Sequence, residues 1–298
     1  MSDKGRVIAL GFFDGVHIGH KALLDKVIER SDKMELIPSV INFDIHPDSL
    51  VFNKPVDLIY SSRKRTEIIR KEFNIEDIIM IHFDRELMTT PWDVFLKDLI
   101  SENRLEWIVV GYDFRLGYKG SGTPDRIRQF CEENGLGFDM IPAVEMNGNI
   151  VSSSMIRNCI ASGDMENANK MLGREFSISG TIVHGRHLGS KIGFPTVNLN
   201  MPEGLTVPSF GVYASRTLIK GEMFESITNI GRRPTFYTES EIVLETHIFD
   251  VSEDLYGENA EIFFCKKIRG EIKFTDASEL SLQISDDIEK VKRFFAKK

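Results

Sequence analysis

The hydrophobic periodicity of this chain changes character once, near Gly173, and no single sheet or bundle accommodates both halves. Before that point apolar runs alternate with helical patterns. Residues 7–13, 35–42, 77–81, 107–110 and 138–142 read as strands, and 21–34, 61–72, 91–101, 125–134 and 152–172 as helices. Such alternation predicts a parallel sheet covered by helices. After it come short alternating runs, 177–184, 211–218, 224–230, 242–249 and 260–268, separated by Gly, Pro, Asn and Asp, which predict an antiparallel barrel or sandwich. In 278–297, Leu280, Ile284, Ile288, Val291 and Phe294 stand three or four apart, giving one apolar helix face that closes the barrel. The expected domains are residues 1–172 and 173–298.

With 298 residues, 42% of them apolar, the chain can bury two cores, which argues against one small binding module. Its 45 acidic residues outnumber 37 Lys and Arg, so the formal charge of -8 disfavours sequence-independent binding to nucleic acid or anionic lipid. Cys131, Cys159 and Cys265 are odd in number and lack C-x-x-C spacing. That excludes a disulfide scaffold and a compact thiolate zinc site, and fits a reducing cytosol. A polar start leads directly into a strand-like run and no 18-residue apolar span occurs, so a soluble cytoplasmic protein without a membrane partner is expected.

The strongest local signal is Gly11-Phe12-Phe13-Asp14-Gly15-Val16-His17-Ile18-Gly19-His20, between the first strand and the first helix. Small residues there let backbone approach a phosphate chain, and the helix start supplies free N–H groups and a positive dipole end. His17 and His20 can donate hydrogen bonds to the oxygens of an α-phosphorus under attack, with no covalent intermediate. The plainer alternative is a pair of loop residues or a helix cap. Ser152, Ser153, Ser154 and Arg157 offer hydroxyls and a guanidinium to β- and γ-phosphates, or simply an N-cap. In the second half, 184–199 is a glycine-punctuated basic loop followed by a Pro-fixed turn. It is not GxxxxGK[ST], so a kinase here needs another phosphate cradle.

Segment 11–20 resembles the HxGH signature of nucleotidyltransferases, in the GxFDGxHxGH form of the prokaryotic bifunctional riboflavin kinase/FAD synthetases. Further segments match in order. Asn42-Phe43-Asp44-Ile45-His46-Pro47 is similar to TFDPHP, with Asn for Thr and Ile for Pro. Segment 111–117 resembles GxDFRFG with Leu116 for Phe, and 152–157 resembles SSTxIR with Ser154 for Thr. Segment 184–199 resembles the GxLGFPTAN loop, with Ser190 where Arg is frequent, and GVYA, NIGxxPTF and ExHxxD counterparts follow at 211–214, 229–236 and 245–250.

The resemblance implies an α/β Rossmann-like nucleotidyltransferase domain followed by a mostly antiparallel β-barrel riboflavin kinase domain with a C-terminal helix. It implies a transferase that phosphorylates riboflavin to FMN and adenylylates FMN to FAD with release of diphosphate, using ATP and Mg²⁺ for both. His17 and His20 would steady the pentavalent phosphorus. Gly11, Phe13, Asp14, Gly15, Gly19, Asp113, Ser153, Ser154 and Arg157 would bind nucleotide and phosphates in the first site, and Gly185, Lys191 and Gly193 in the second. Thr196 and Asn198 would hold the metal. Glu245 would be the general base on riboflavin's 5'-hydroxyl, or else a solvated strand carboxylate. His46, Phe114 and Arg115 would meet the flavin, His46 and Phe114 either stacking on a ring or filling the wall. The implied partners are small molecules, with no nucleic acid, and a monomer or weak homo-oligomer. In the alternative reading only one module is active and the other is a binding remnant. The string His17-Ile18-Gly19-His20 also marks class I aminoacyl-tRNA synthetases, but no KMSKS-like partner accompanies it.

Overall fold

Burial on both faces explains why the first strands read as continuous apolar runs: Val7, Ile8, Ala9 and Leu10 are all inaccessible, as are Val40, Ile41, Ile108 and Val109. They belong to β1 (Arg6–Leu10), β2 (Ile37–Phe43) and β4 (Leu105–Gly111), which with β3 (Asp77–Ile81) and β5 (Gly137–Ile141) form a parallel sheet in the order β3-β2-β1-β4-β5. Crossovers run through α1 (Ile18–Met34), α2 (Pro47–Val51), α3 (Ser62–Phe73), α4 (Arg85–Thr89), α5 (Trp92–Asn103) and α6 (Pro124–Glu133), and a small hairpin, β6 (Glu145–Met146) and β7 (Asn149–Ile150), follows. The computed structural model describes residues 4–184, 193–233, 241–251 and 253–297.

The strand order reverses direction at β1. From β1 the chain moves outward to β2 and β3, then returns to the other side for β4 and β5. Loops leaving the carboxyl ends of β1 and β4 therefore diverge, and the crevice between them is where sheets of this kind take ligands.

The chain divides into two compact units at Ser153/Ser154, ahead of the change of pattern near Gly173. Segment 152–172, expected as one helix, is two: α7 (Ser153–Ser162) and α8 (Met165–Leu172). Gly163 breaks it with φ +84, and Asp164 caps the restart by accepting from Asn167 N–H. A side chain at Gly163 would come within 2.4 Å of Ser209 Oγ, so the turn needs glycine for space as well as for backbone angle. Asn169 fastens α8 to the following sheet through Phe264 O at 2.8 Å.

That sheet is antiparallel: β8 (Phe176–Thr181), β9 (Val197–Asn200), β10 (Gly211–Ile219), β11 (Glu222–Arg233), β12 (Glu241–Ile248) and β13 (Asn259–Arg269), ordered β8-β13-β10-β11-β12-β9. β9 was not expected, because four residues with asparagine at alternate places read as a turn; pairing with β12 makes them a strand. The sheet curls until Val183, just past one edge strand, bridges to Asn198 in the other. Its interior contains a chain of buried hydroxyls, Thr246–Thr228–Ser215–Ser226–Thr217, each link 2.8–2.9 Å. The last helix, α9 (Ala277–Phe295), lays Ile288 and Val291 against Val212, Ala214 and Ile227. Among the described residues no helix is long and apolar enough to cross a membrane.

Candidate active sites

In the first unit the loops after β1 and β4 enclose a cleft of about 220 Å³ in that crevice. Gly11, Phe12, Phe13, His17, Gly19 and His20 line one side, Asp113 and Phe114 another, and Ser152 and Ser153 a third. Two glycines are dictated by rings: a Cβ on Gly11 would lie 3.0 Å from the Phe13 ring, and one on Gly19 3.0 Å from the His17 ring. The loop holds three left-handed residues, Phe13 (φ 55), Gly15 (φ 80) and Val16 (φ 44). For Phe13 and the β-branched Val16 this conformation costs on the order of 1–3 kcal/mol each and persists only where surroundings over-determine it. Here both side chains are buried.

His17 caps α1: its Nδ1 accepts from Gly19 N–H at 3.2 Å and His20 N–H at 3.4 Å. With Nδ1 an acceptor, the proton of the neutral ring sits on Nε2, leaving that nitrogen a donor. The His17 and His20 rings stack 3.7 Å apart at 18°, and Phe13 meets His20 edge-on at 5.1 Å. The cap uses only Nδ1 of His17, so capping does not exclude a donor role for the same ring.

Asp14 does not line the cleft. Its buried carboxylate turns inward, Oδ1 accepting from Ile59 N–H at 2.9 Å and Tyr60 N–H at 3.4 Å, while its carbonyl accepts from Ser153 Oγ at 2.9 Å. Asp14 and Gly15 shape the loop and are not among the residues that line the cleft. Arg115 is also outside the cleft, exposed and donating to Phe114 O. His46 caps α2 by accepting from Asp48 N–H and meets Phe12, a cleft residue, edge-on at 4.6 Å. Ser154 and Arg157, both on α7, are joined at 3.1 Å and are not among the lining residues.

Sequence reasoning missed Arg65. It sits in Ser-Arg-Lys-Arg, which reads as solvated helix surface, yet it is fully buried. The available signal was spacing, since 65, 68, 69 and 73 share the buried face of α3. Its guanidinium donates to Phe12 O, to Asn42 Oδ1 at 2.8 Å and to Phe43 O at 3.1 Å, and lies 4.0 Å from the centre of the Phe12 ring. Burial pushes its pKa down to about 10, with the carboxylates of Asp14 and Asp44 pulling the other way.

The second unit has two clefts that share Thr196. One, about 270 Å³, is largely apolar, lined by Phe194, Val212, Ile227, Phe274, Leu280 and Ile284 with Glu245, His247 and the Arg269–Asp287 ion pair. The other, about 340 Å³, is lined by Pro195, Val197, Thr246, Glu253, Asp254 and Tyr256 among others. Glu245 stands in register between Asn229 on β11 and Asn198 on β9. Asn198 is buried and lines neither cleft, whereas Glu245 is exposed within the apolar one. His247 points Nδ1 at Pro195 O, 2.7 Å away, and so steadies the turn before Thr196. Gly193 is left-handed at φ 90; Gly185 and Lys191 lie outside the described residues. Among the described residues no group of three or more His, Cys, Asp or Glu could hold a metal ion.

Residues 1–155 match the FAD synthetase family and residues 172–295 the riboflavin kinase family. Relatives named bifunctional riboflavin kinase/FMN adenylyltransferase include those of Haemophilus influenzae (33% identity; 98% of this chain, 95% of that one), Bacillus subtilis (32%; 97% and 92%) and Escherichia coli K12 (33%; 98% and 93%). A crystal structure described as a macrolide-efflux protein from Streptococcus pneumoniae shares the fold at TM-score 0.89 and 26% identity, covering 98% of this chain and 95% of that one.

Proposed function

The chain belongs to the bifunctional riboflavin kinase/FMN adenylyltransferase family, and from that membership we propose that its two units carry one activity each. The first cleft joins FMN to the adenylyl group of ATP; the apolar cleft around Glu245 phosphorylates riboflavin. The observation that carries this reading is the pairing of a histidine-lined crevice in one unit with a lone carboxylate in an apolar cleft in the other.

In adenylylation, an oxygen of the FMN phosphate attacks the α-phosphorus, a bond forms there, and the bond to the β-phosphate oxygen breaks to release diphosphate. His17 Nε2–H and the His20 ring donate to the non-bridging oxygens as their charge grows. Asp113, acceptor-only when ionised, suits hydroxyls of the nucleotide better than its phosphates. Ser152 and Ser153 complete the wall beside the loop.

In phosphorylation, Glu245 accepts the 5'-hydroxyl proton as that oxygen bonds to the γ-phosphorus and ADP leaves. The apolar wall suits an isoalloxazine ring, and the second cleft, reached across Thr196, suits the nucleotide. Thr196, which lines both clefts, supplies a neutral oxygen donor, which fits a Mg²⁺ held mainly by phosphate oxygens; bound there, it would neutralise phosphate charge. Three cysteines not joined in disulfides fit a reducing cytoplasm. The partners are small molecules, and the chain acts as a monomer or weak homo-oligomer.

The test is product analysis with MgATP and either riboflavin or FMN. His20→Ala should abolish FAD formation and spare FMN formation, and Glu245→Ala should do the reverse. Loss of both products with either change would refute the two-site assignment, and turnover of only one substrate by the unaltered protein would mean one silent module.

A further inference from the structure

The segment Ile59–Arg65 grips the histidine loop at two places. Ile59 and Tyr60 present their N–H groups to the Asp14 carboxylate, and Arg65, four residues beyond the N-cap Ser61, donates to Phe12 O. Between these ties lies Phe13, the first of the left-handed residues. Arg65 also fixes the Phe12 ring, which lines the cleft, by lying across its face while His46 meets that ring edge-on. Asn42, where the resemblance has Thr, supplies Oδ1 to Arg65 Nη1 and to Phe43 N–H at once. The departure at position 42 thus serves this guanidinium and lies outside the cleft lining.

Nothing about core packing calls for a charge here. A buried methionine or leucine would fill the space without the desolvation that arginine suffers. What only a guanidinium provides is a rigid fork of donors that reaches several oxygens and a flat face for a ring. We propose that Arg65 is a positioning residue for adenylyl transfer: through the carbonyl and ring of Phe12 it holds the loop that carries His17 and His20. The inference rests on the reading of this cleft as the adenylylation site.

The charged groups acting on Arg65 are Asp14, in the turn after β1, and Asp44, just past β2; its contacts Phe12, Asn42 and Phe43 are uncharged. A lysine at this place would feel the same burial. Burial lowers the pKa of an ammonium, so its hold on the loop would weaken toward alkaline pH before that of arginine does.

The experiment uses the full chain with Arg65→Met, Arg65→Lys and His20→Ala. Rates of FAD formation from FMN and of FMN formation from riboflavin are measured from pH 6.5 to 9.5, below each variant's melting temperature. Arg65→Met should lower kcat/KM for FAD formation by about 100-fold, mainly in kcat, and leave FMN formation within about two-fold. Arg65→Lys should recover at least about ten-fold of that loss at pH 7. Its rate relative to the unaltered protein should then fall reversibly toward the alkaline end of that range. If Arg65→Met does not fold, the lysine variant's pH profile carries the test alone. A wild-type rate in Arg65→Met, or a profile for Arg65→Lys parallel to the unaltered protein's, overturns the inference. Should His20→Ala make FAD normally, the site reading itself fails; with His20→Ala inactive and the lysine profile unchanged, only the role of Arg65 falls.

Discussion

His17 and His20 stack ring on ring at 3.7 Å because the first imidazole caps the helix on which the second stands. Capping and phosphate contact therefore use different atoms of one side chain and can be separated. His17→Asn keeps an acceptor for the helix N–H groups and removes the Nε2–H donor. Its melting temperature should stay close to that of the unaltered protein, since Asn is among the best N-caps. FAD formation should fall by about 10²–10³-fold, the usual cost of one oxyanion donor. His17→Ala should lose both, melting earlier by an amount equivalent to about 1 kcal/mol. Equal melting of the two variants would show that the cap contributes nothing.

Glu245 is exposed in an apolar cleft, whereas its register neighbour Asn198 is buried. Glu245→Gln keeps the shape and the row of amides but cannot take a proton. FMN formation should drop by about 10²–10⁴-fold, with riboflavin affinity by calorimetry little changed and FAD formation from FMN intact. A variant that still turns over riboflavin at more than a tenth of the normal rate would return Glu245 to the role of a solvated strand carboxylate.

What was legible in the sequence followed from local physics. The apolar runs of β1, β2 and β4 and the helical spacing in α9 are set by near neighbours, and segment 11–20 declares its turn through glycines whose side chains would strike Phe13 or His17. What was illegible depends on distant partners. Asp14 looks like a loop carboxylate until Ile59 and Tyr60 turn their N–H groups to it, and Arg65 looks like surface charge until Phe12, Asn42 and Phe43 surround it. β9 is too short to declare itself without β12 beside it. The break at Gly163 depends on Ser209, far along the chain.

Leu116 stands where the resemblance has Phe, and it lines a small apolar cavity of about 30 Å³ with Phe43, Phe83, Leu87, Met88 and Phe95. Leu116→Phe should fill this space. At about 24 cal/mol per Å³ the gain is up to about 0.7 kcal/mol, read as a rise of roughly 2 °C in melting temperature. Both activities should persist. A fall in melting temperature would mean that the surrounding rings cannot yield enough for the extra atoms.

Thr228 is an interior member of the buried hydroxyl chain, 2.8 Å from Ser215 Oγ and 2.9 Å from Thr246 Oγ1. Thr228→Val preserves shape and removes both contacts, leaving Thr246 and Ser215 each short of one. The expected destabilisation is about 1–3 kcal/mol, measured by denaturant unfolding. Thr228→Ser, which keeps the hydroxyl, should recover most of what the loss of that group removes. If valine and serine variants unfold together, the hydrogen bonds contribute nothing beyond packing.

Asp44 Oδ2 and His82 Nδ1 lie 2.6 Å apart on the rim of the first unit's sheet, and Asp44 Oδ1 accepts from Phe83 N–H at 3.0 Å. Burial pushes the Asp44 carboxyl upward, but the hydrogen bonds from His82 and Phe83 outweigh it and hold the pKa below its ordinary 3.8. The hydrogen bond to Asp44, and then its charge, raise His82 above 6.5. Folding thus favours the charged form of each. The Asp44 contribution is full above its ordinary value and is lost as pH falls through the lowered one. That of His82 is full below 6.5 and is lost as pH rises through the raised one. Between about pH 4 and 6.5 both operate. His82→Ala should lower the melting temperature most within that interval and least above the raised pKa of His82, where the imidazole is neutral in the folded protein too. His82 is exposed, so 0.5 M salt, with a screening length of about 4 Å, should shrink the difference. A deficit that stays constant from pH 5 to 9 would assign the effect to lost packing rather than to the ion pair.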